Sequence, residues 1–310
     1  MEQFAIDFFV VGAARSGTTS LYQYLKQHPN VFLSEVKELN HFSEVESNDH
    51  SDYKTPKKGE SYHTKIIKSS EIYESLFSEA GPEQKKGDIS PSYLWGNTTA
   101  QRIYSHNPEA KIIITLRNPI DRAFSHYVMN YGVGYDREDS FRKALNAKLD
   151  RVWGGGNLYV EWSTYFDAVK SYYDTFPREQ IKLLVFEDWT RNRDQTLRDI
   201  FQFLGIESTI DIDHDTQHNK KTAYKNIGLL NFLRGRFIKN VVKALIPHSL
   251  RDRVKDRYFS ATETNLKLDD QLRAELKQQF EEDVRKLQEL TGIHLLEKWG
   301  FTEGKKAKIE

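Results

Sequence analysis

Phe8-Phe9-Val10-Val11-Gly12-Ala13-Ala14-Arg15-Ser16-Gly17-Thr18-Thr19-Ser20-Leu21 is the stretch that decides the fold. Phe8 to Val11 is a short apolar run of β-formers, the pattern of a central parallel strand covered on both faces. Leu21, Tyr24 and Leu25 recur at helical spacing, and His28-Pro29-Asn30 stops that helix. Between strand and helix lie two glycines, several hydroxyl residues and one arginine. Such a loop turns backbone N–H groups outward at the positive end of a helix, which suits a phosphate or sulfate.

The spacing from Gly12 to Gly17 matches the start of a Walker A loop, but Thr18 stands where the lysine belongs. That lysine reaches the outer phosphates of a nucleoside triphosphate. Without it the loop can hold an anion and is poorly built for ATP or GTP hydrolysis.

Outward from this corner, Val31-Phe32-Leu33 reads as a second strand. Residues 87–90, Lys111–Leu116 and 181–186 read as further strands. Helices are expected over 98–106, from Pro119 onward, over 160–176 and over 192–204, the last capped by Gly205. Residues 43–68 are polar and read as surface, and the glycines around 132–156 as a mobile lid. The C-terminal part is helical, with Leu266, Leu268, Leu272, Leu276, Phe280 and Val284 forming a face for the core or for a partner, so the oligomeric state stays open. Strands alternating with helices predict an α/β fold, a P-loop-like central parallel sheet flanked by helices. No repeat or linker divides it: a single domain is expected over 1–301, with a charged, disordered tail over 302–310.

The composition removes whole classes of function. Lys+Arg and Asp+Glu are both 45 in 310 residues, so no global field favours nucleic acid, and any anion site is local. There is no cysteine, which excludes disulfides, thiolate metal sites and cysteine nucleophiles. No metal is expected. Met1 to Val11 lacks a basic segment and no apolar run approaches ~18 residues. The expectation is a cytoplasmic protein with no membrane span.

A second anion corner is Leu116-Arg117-Asn118-Pro119-Ile120-Asp121-Arg122-Ala123-Phe124-Ser125-His126-Tyr127. Arg117 ends a strand, where open α/β sheets place ligands. Ser125 follows about two helical turns into the next element. Together they can clamp a second phosphate, the arginine by its bidentate fork.

With both corners in view, the chain resembles the sulfotransferases that use 3′-phosphoadenosine 5′-phosphosulfate (PAPS), and is most similar to their carbohydrate, heparan-sulfate-type and bacterial members. The first loop resembles that family's 5′-phosphosulfate loop and the second its 3′-phosphate motif. Lys37-Glu38-Leu39-Asn40-His41-Phe42 is similar to the family's K-E-P-H element. Ser90-Pro91-Ser92-Tyr93 is a fourth match, and weaker likeness runs through Phe186-Glu187-Asp188, Phe203-Leu204-Gly205 and 287–299.

The resemblance implies that Arg15, Ser16, Gly17, Thr18, Thr19 and Ser20 hold the 5′ side and Arg117 and Ser125 the 3′-phosphate. Lys220, Lys221 and Tyr224 fall where relatives close over the nucleotide. It implies Glu38 as general base and Arg15 as the charge that stabilises the departing phosphate, leaving 3′-phosphoadenosine 5′-phosphate (PAP) as product. Lys37 either steers the acceptor or adjusts Glu38. His41 is the rival base, and His126 is read as structural. Tyr93 and Trp95, with Trp153, Tyr159 and Trp162, are the aromatics available to an acceptor pocket.

Leu39-Asn40 stands where K-E-P-H relatives have proline, and Ile89 where several carry a lysine. That lost cation argues against a highly sulfated polysaccharide. The expected acceptor is a small molecule or glycan with a free hydroxyl, or an amine. Two other readings stay open: a P-loop nucleotide kinase or NTPase, for which 183–188 resembles a Walker B strand, and a non-catalytic nucleotide-binding protein.

Overall fold

The computed structural model describes residues 4–44, 66–132, 136, 138–147, 158–213, 222–224, 261–263 and 266–302. Five strands, β1 (Phe8–Gly12), β2 (Val31–Leu33), β3 (Lys85–Ile89), β4 (Lys111–Leu116) and β5 (Ile181–Val185), form one sheet in the order β2-β3-β1-β4-β5. Every pairing in it is parallel. The expected α/β sheet is therefore present, with β1 at its centre.

The β1 run works on both faces. Phe8 and Val10 enter one core, while Phe9 and Val11 enter the other. All four are fully buried, and each such side chain contributes ~1.5–3 kcal/mol. The helices are α1 (Thr18–Leu25), α2 (Ser70–Ser75), α3 (Thr99–His106), α4 (Pro119–Gly132), α5 (Phe141–Asn146), α6 (Phe166–Thr175), α7 (Phe186–Trp189) and α8 (Arg193–Leu204), with a long C-terminal helix, Asp270–Thr291. α1 and α8 cover the Phe8/Val10 face, whereas α3, α4, α6 and the C-terminal helix cover the Phe9/Val11 face. Leu272, Leu276, Phe280 and Val284 are buried within this chain's own core. Among the described residues no helix is long and apolar enough to cross a membrane.

The register of β1 against β4 slips between Val10 and Gly12, which pair with Ile113 and Ile114. This irregularity sits where β1 opens into the Arg15 loop. Both arginine-bearing corners thus emerge side by side from the carboxyl ends of adjacent strands, at the point where the chain order reverses.

Several expectations are corrected. The helix expected over 160–176 is two elements, a 3-10 turn at Glu161–Ser163 and then α6. The carboxylate of Asp283, on the C-terminal helix, accepts from the backbone N–H groups of Tyr165 (2.8 Å) and Phe166 (2.9 Å). It caps α6 from 117 residues away, a signal absent from the local sequence. The strand expected over 181–186 stops at Val185, and Phe186 opens the turn α7. Glu187 accepts from the Asn118 N–H (3.0 Å) and the Trp299 indole (3.1 Å), and Asp188 pairs with Lys298 (2.8 Å). The two carboxylates that a Walker B reading would assign to magnesium brace the C-terminal segment instead.

β3 begins at Lys85, two residues earlier than expected, because the backbone of Lys85 bonds to Asn30 and extends the pairing with β2. Within 214–226, Thr222–Tyr224 forms a strand, β6, antiparallel to β7 (Ala261–Glu263). Most of the polar stretch 43–68, much of the glycine-rich 132–156 with Trp153, and all of the tail beyond Thr302 lie outside the described residues.

The core carries a pH-sensitive element. His106 accepts the Ile6 N–H through Nε2 at 3.2 Å, so this nitrogen is unprotonated. Burial, with nearby His41, lowers its pKa to about 4. The unfolded chain holds that proton up to about 6.5. Between those values the unfolded state binds more protons, so stability falls as pH drops from about 6.5 towards 4. His41 and His126 are shifted the same way. The expected result is a melting temperature that drops more steeply from pH 7 to pH 5 in the parent than in His106→Gln, whose amide oxygen can still accept from Ile6. Equal slopes would remove His106 from this role.

Candidate functional site

The first corner is built by the chain entering α1. Gly17 caps the helix at φ 87°, with no side chain bonded to its first N–H groups. A Cβ at Gly17 would meet the Trp189 ring at 2.2 Å, so glycine is required twice, for its φ and for this contact. Ser16 is fully buried, and its Oγ has no hydrogen-bond partner. A buried hydroxyl without a partner costs ~1–3 kcal/mol. A phosphate or phosphosulfate oxygen would satisfy it, so the residues present fit such a group.

The second corner lies beside the first. Arg117 stacks its guanidinium on the Phe186 ring, 4.8 Å from the centroid, and donates to the carbonyl of Arg15 at 3.2 Å. Arg15 donates through Nε to Ser125 Oγ at 3.2 Å and through Nη1 to the Met129 sulfur at 3.4 Å. Its pKa is lowered to about 10, first by burial and then by Arg117, with Glu38 opposing. It is still cationic at neutral pH. Arg122, fully buried on α4, is likewise lowered to about 10 by burial. Among the described residues none of these three guanidinium groups has a carboxylate partner. The corners thus concentrate three guanidinium groups without an ion pair, with Glu38 the nearby carboxylate that acts on Arg15, in a chain whose net charge is zero.

The segment Lys37 to Asn40 closes the site from the β2 side. Lys37 Nζ lies 2.7 Å from Thr19 Oγ1 and 2.7 Å from Glu38 Oε1. The pair is half-withdrawn from water, its side chains 14% and 22% exposed. They line a pocket with Tyr22, Ser34, Leu39 and Asp88. Arg15, Glu38 and Asn40 all have left-handed backbones, at φ 71°, 61° and 55°. Asparagine tolerates this conformation, whereas arginine and glutamate pay ~1–3 kcal/mol each, and such strain gathers at functional sites.

A buried polar network holds that strain in place. Asp88 accepts hydroxyls from Tyr73 (2.9 Å), Tyr93 (2.6 Å) and Ser90 (2.7 Å). Burial pushes its carboxyl up, against the three hydroxyls that hold it down. Ser90 Oγ accepts the Asn40 N–H, Ser92 Oγ donates to Asn40 Oδ1, and Asn40 Nδ2 donates to the Glu38 carbonyl. Ser90-Pro91-Ser92-Tyr93 is therefore the clamp that fixes the backbone of Glu38.

Of the residues nominated by sequence, the structure brings together Arg15, Ser16, Gly17, Thr18, Thr19, Ser20, Lys37, Glu38, Arg117 and Ser125. Arg15 lies further towards α4 than expected, against Ser125 and not over the first loop. Tyr93 is corrected. It is fully buried with its hydroxyl on Asp88 and cannot line an acceptor pocket. His41 donates through Nδ1 to the Ile67 carbonyl and stacks on Tyr73, 4.2 Å between centroids. Burial lowers its pKa, and its ring belongs to the aromatic core around Phe42. Trp95 stacks on Trp162, which stacks on His126 of α4. Its buried indole N–H lacks a partner. Tyr224 is on β6, which lies against α4; Lys220 and Lys221 are outside the described residues. Sequence reasoning missed Asp88 and Asn40. The signals were a carboxylate within a strand just before three hydroxyl residues, and an asparagine two residues after a glutamate.

A family model described as Sulfotransferase family matches residues 7–211. The crystal structure of a sulfotransferase from Alicyclobacillus acidocaldarius is 29% identical, with a TM-score of 0.69, over 96% of this chain and 99% of that one. Human carbohydrate sulfotransferase 15 is 24% identical over 245 residues, covering 64% of this chain and 43% of that protein. Human heparan sulfate glucosamine 3-O-sulfotransferase 6 is 26% identical over 167 residues, covering 51% and 42%. The chain spans less than half the length of these two curated relatives.

Proposed function

The chain belongs to the sulfotransferase family, and from that premise we propose that it moves a sulfuryl group from PAPS to an acceptor hydroxyl or amine, with a carbohydrate or other alcohol as the acceptor class. One observation carries the reading. Two anion corners on adjacent strands hold guanidinium groups without carboxylate partners, beside a half-buried glutamate held in a strained backbone.

The donor carries its activated sulfuryl group at the outer end of the 5′-phosphate and a second phosphate on the 3′ oxygen. The first loop takes its 5′ end on the N–H groups of α1 and on the Ser16 hydroxyl. Arg117 and Ser125 take the 3′-phosphate. Glu38 accepts the proton of the attacking hydroxyl. The protein's remaining work is positioning and charge stabilisation in a site shielded from water. Engagement of Glu187 and Asp188 with the C-terminal segment favours this over the kinase reading. The carbohydrate leaning rests on the Glu38 element and on the sugar-sulfating relatives. A cytoplasmic location stays part of the proposal.

The test is calorimetric titration with PAP, followed by transfer from 35S-labelled PAPS to a panel of heparan sulfate, unsulfated oligosaccharides and simple alcohols without added magnesium. The expected result is micromolar or tighter PAP binding and label in at least one acceptor. A protein that binds ATP with magnesium and ignores PAP would refute the proposal.

A further inference from the structure

The peptide that joins Arg117 to Asn118 lies just past the end of β4, where strand pairing no longer holds it. The last pair of that ladder is Leu116 with Val185. Backbone groups at such a point need partners from elsewhere. Both polar atoms of this one peptide have them. Its carbonyl, that of Arg117, accepts the Tyr165 hydroxyl at 3.0 Å, and its N–H, that of Asn118, donates to Glu187 Oε1 at 3.0 Å. The peptide plane is thus gripped at both ends, and with it the direction in which the Arg117 side chain leaves the chain.

Glu187 reaches this peptide from α7, in step with its neighbour. Phe186 carries the Arg117 guanidinium on its ring, and Glu187 takes the next backbone N–H. The second carboxylate oxygen accepts the Trp299 indole N–H at 3.1 Å, and the Trp299 carbonyl accepts from Asn118 Nδ2 at 3.0 Å. Asn118 Oδ1 in turn accepts the Ile120 N–H at 3.0 Å, at the start of α4, the helix that carries Ser125. Glu187, Trp299 and Asn118 therefore tie the arginine and the serine of the second corner to the segment that follows the long C-terminal helix. On charge alone a carboxylate is misplaced here, since it repels an anion bound at Arg117. Its oxygens are spent on two N–H groups, and the peptide they hold accounts for its place.

We propose that Glu187 is a positioning residue for the 3′-phosphate. Held by Trp299, it fixes the Arg117–Asn118 peptide so that the guanidinium fork meets that phosphate and the site tells a 3′,5′-bisphosphate from a 5′-monophosphate; this rests on the sulfuryl-transfer reading above. A fork makes both of its bonds only when it is aligned, so a rotation of the peptide at its root is felt at the phosphate.

The test is calorimetric titration of PAP and 5′-AMP into the full chain and its variants, with a melting temperature for each sample. Glu187→Gln removes the negative charge and leaves one acceptor oxygen for two N–H donors. Repulsion alone predicts tighter PAP binding. Positioning predicts PAP binding weakened about tenfold or more, with 5′-AMP binding close to the parent value. Trp299→Phe, which keeps a ring and removes the indole N–H, should shift PAP in the same direction by a smaller factor. Asp188→Asn breaks the neighbouring pair with Lys298 and leaves the Asn118 peptide untouched, so it should bind both nucleotides as the parent does. In an Arg117→Ala background, Glu187→Gln should change PAP affinity by less than about twofold, since no fork is left to aim. The assignment is overturned if Glu187→Gln binds PAP as tightly as the parent or tighter, or loses PAP and 5′-AMP equally. It is also overturned if the effect on PAP is undiminished in the Arg117→Ala background. Should Glu187→Gln fail to fold, Trp299→Phe decides by the same comparison of PAP with 5′-AMP. A parent that binds no PAP overturns the sulfuryl-transfer reading and this assignment with it, whereas the other outcomes, in a parent that binds PAP, bear on Glu187 alone.

Discussion

Glu38→Gln should abolish sulfuryl transfer, with kcat reduced ~10²–10⁴-fold, the usual worth of a positioned general base, while PAP binding stays within threefold of the parent. The amide keeps the shape of the side chain and its place above the clamp of Asn40, Ser90 and Ser92. It loses the ability to take a proton. The measurement is kcat across the acceptor panel with PAP titrations on the same samples. A variant within tenfold of the parent on every acceptor would remove Glu38 from the chemistry. A second pair of variants probes the strain. Glu38 has φ 61°, a conformation that costs a non-glycine residue ~1–2 kcal/mol. Glu38→Gly and Glu38→Ala both lose the Lys37 pair. The glycine variant should nevertheless be more stable by ~1 kcal/mol, although equally inactive. That outcome would place the strain in the service of the active site.

Arg117→Ala should weaken PAP binding ~150-fold or more and leave 5′-AMP binding within threefold. The guanidinium is held flat on Phe186 and anchored at the Arg15 carbonyl, at the carboxyl end of β4. Hydrogen bonds to a charged partner are worth ~1.5–3 kcal/mol, and a bidentate fork makes two of them. The loss falls on the 3′-phosphate alone if that group sits at this corner. Calorimetry with both nucleotides decides it. Equal weakening of the two would mean that Arg117 shapes the first loop through Arg15 and does not read the 3′-phosphate. Arg117→Lys is the companion variant. It keeps the charge, loses the fork and the ring stacking, and should fall between.

The pattern of the site also says why two nominated residues drop out. His41 and Tyr93 come from the same motifs as Glu38 and Ser90, so sequence proximity made them candidates. The left-handed turns at Glu38 and Asn40 point neighbouring side chains in opposite directions. Glu38 goes to the pocket with Lys37, while His41 and Phe42 go into the aromatic core with Tyr73 and Tyr93. His41 spends its Nδ1 on the Ile67 carbonyl and lays its ring on Tyr73.

The sequence by itself determined the features that depend on a few consecutive residues. The apolar run of β1, the glycine that must take a positive φ, Pro119 at the start of α4 and the two arginines at strand ends are each set by local sterics and hydrophobic alternation. The alternating strands and helices then left the parallel sheet as the way to bury both faces of β1. What only the tertiary structure decided is where the long side chains go. Arg15 reaches Ser125 across 110 residues, and Asp283 caps α6 across 117. The Asp88 network joins β3 to the segment before it. An arginine or lysine stem can point its charge in several directions at small cost. The direction taken is fixed by partners that folding brings near, and no spacing along the chain records them.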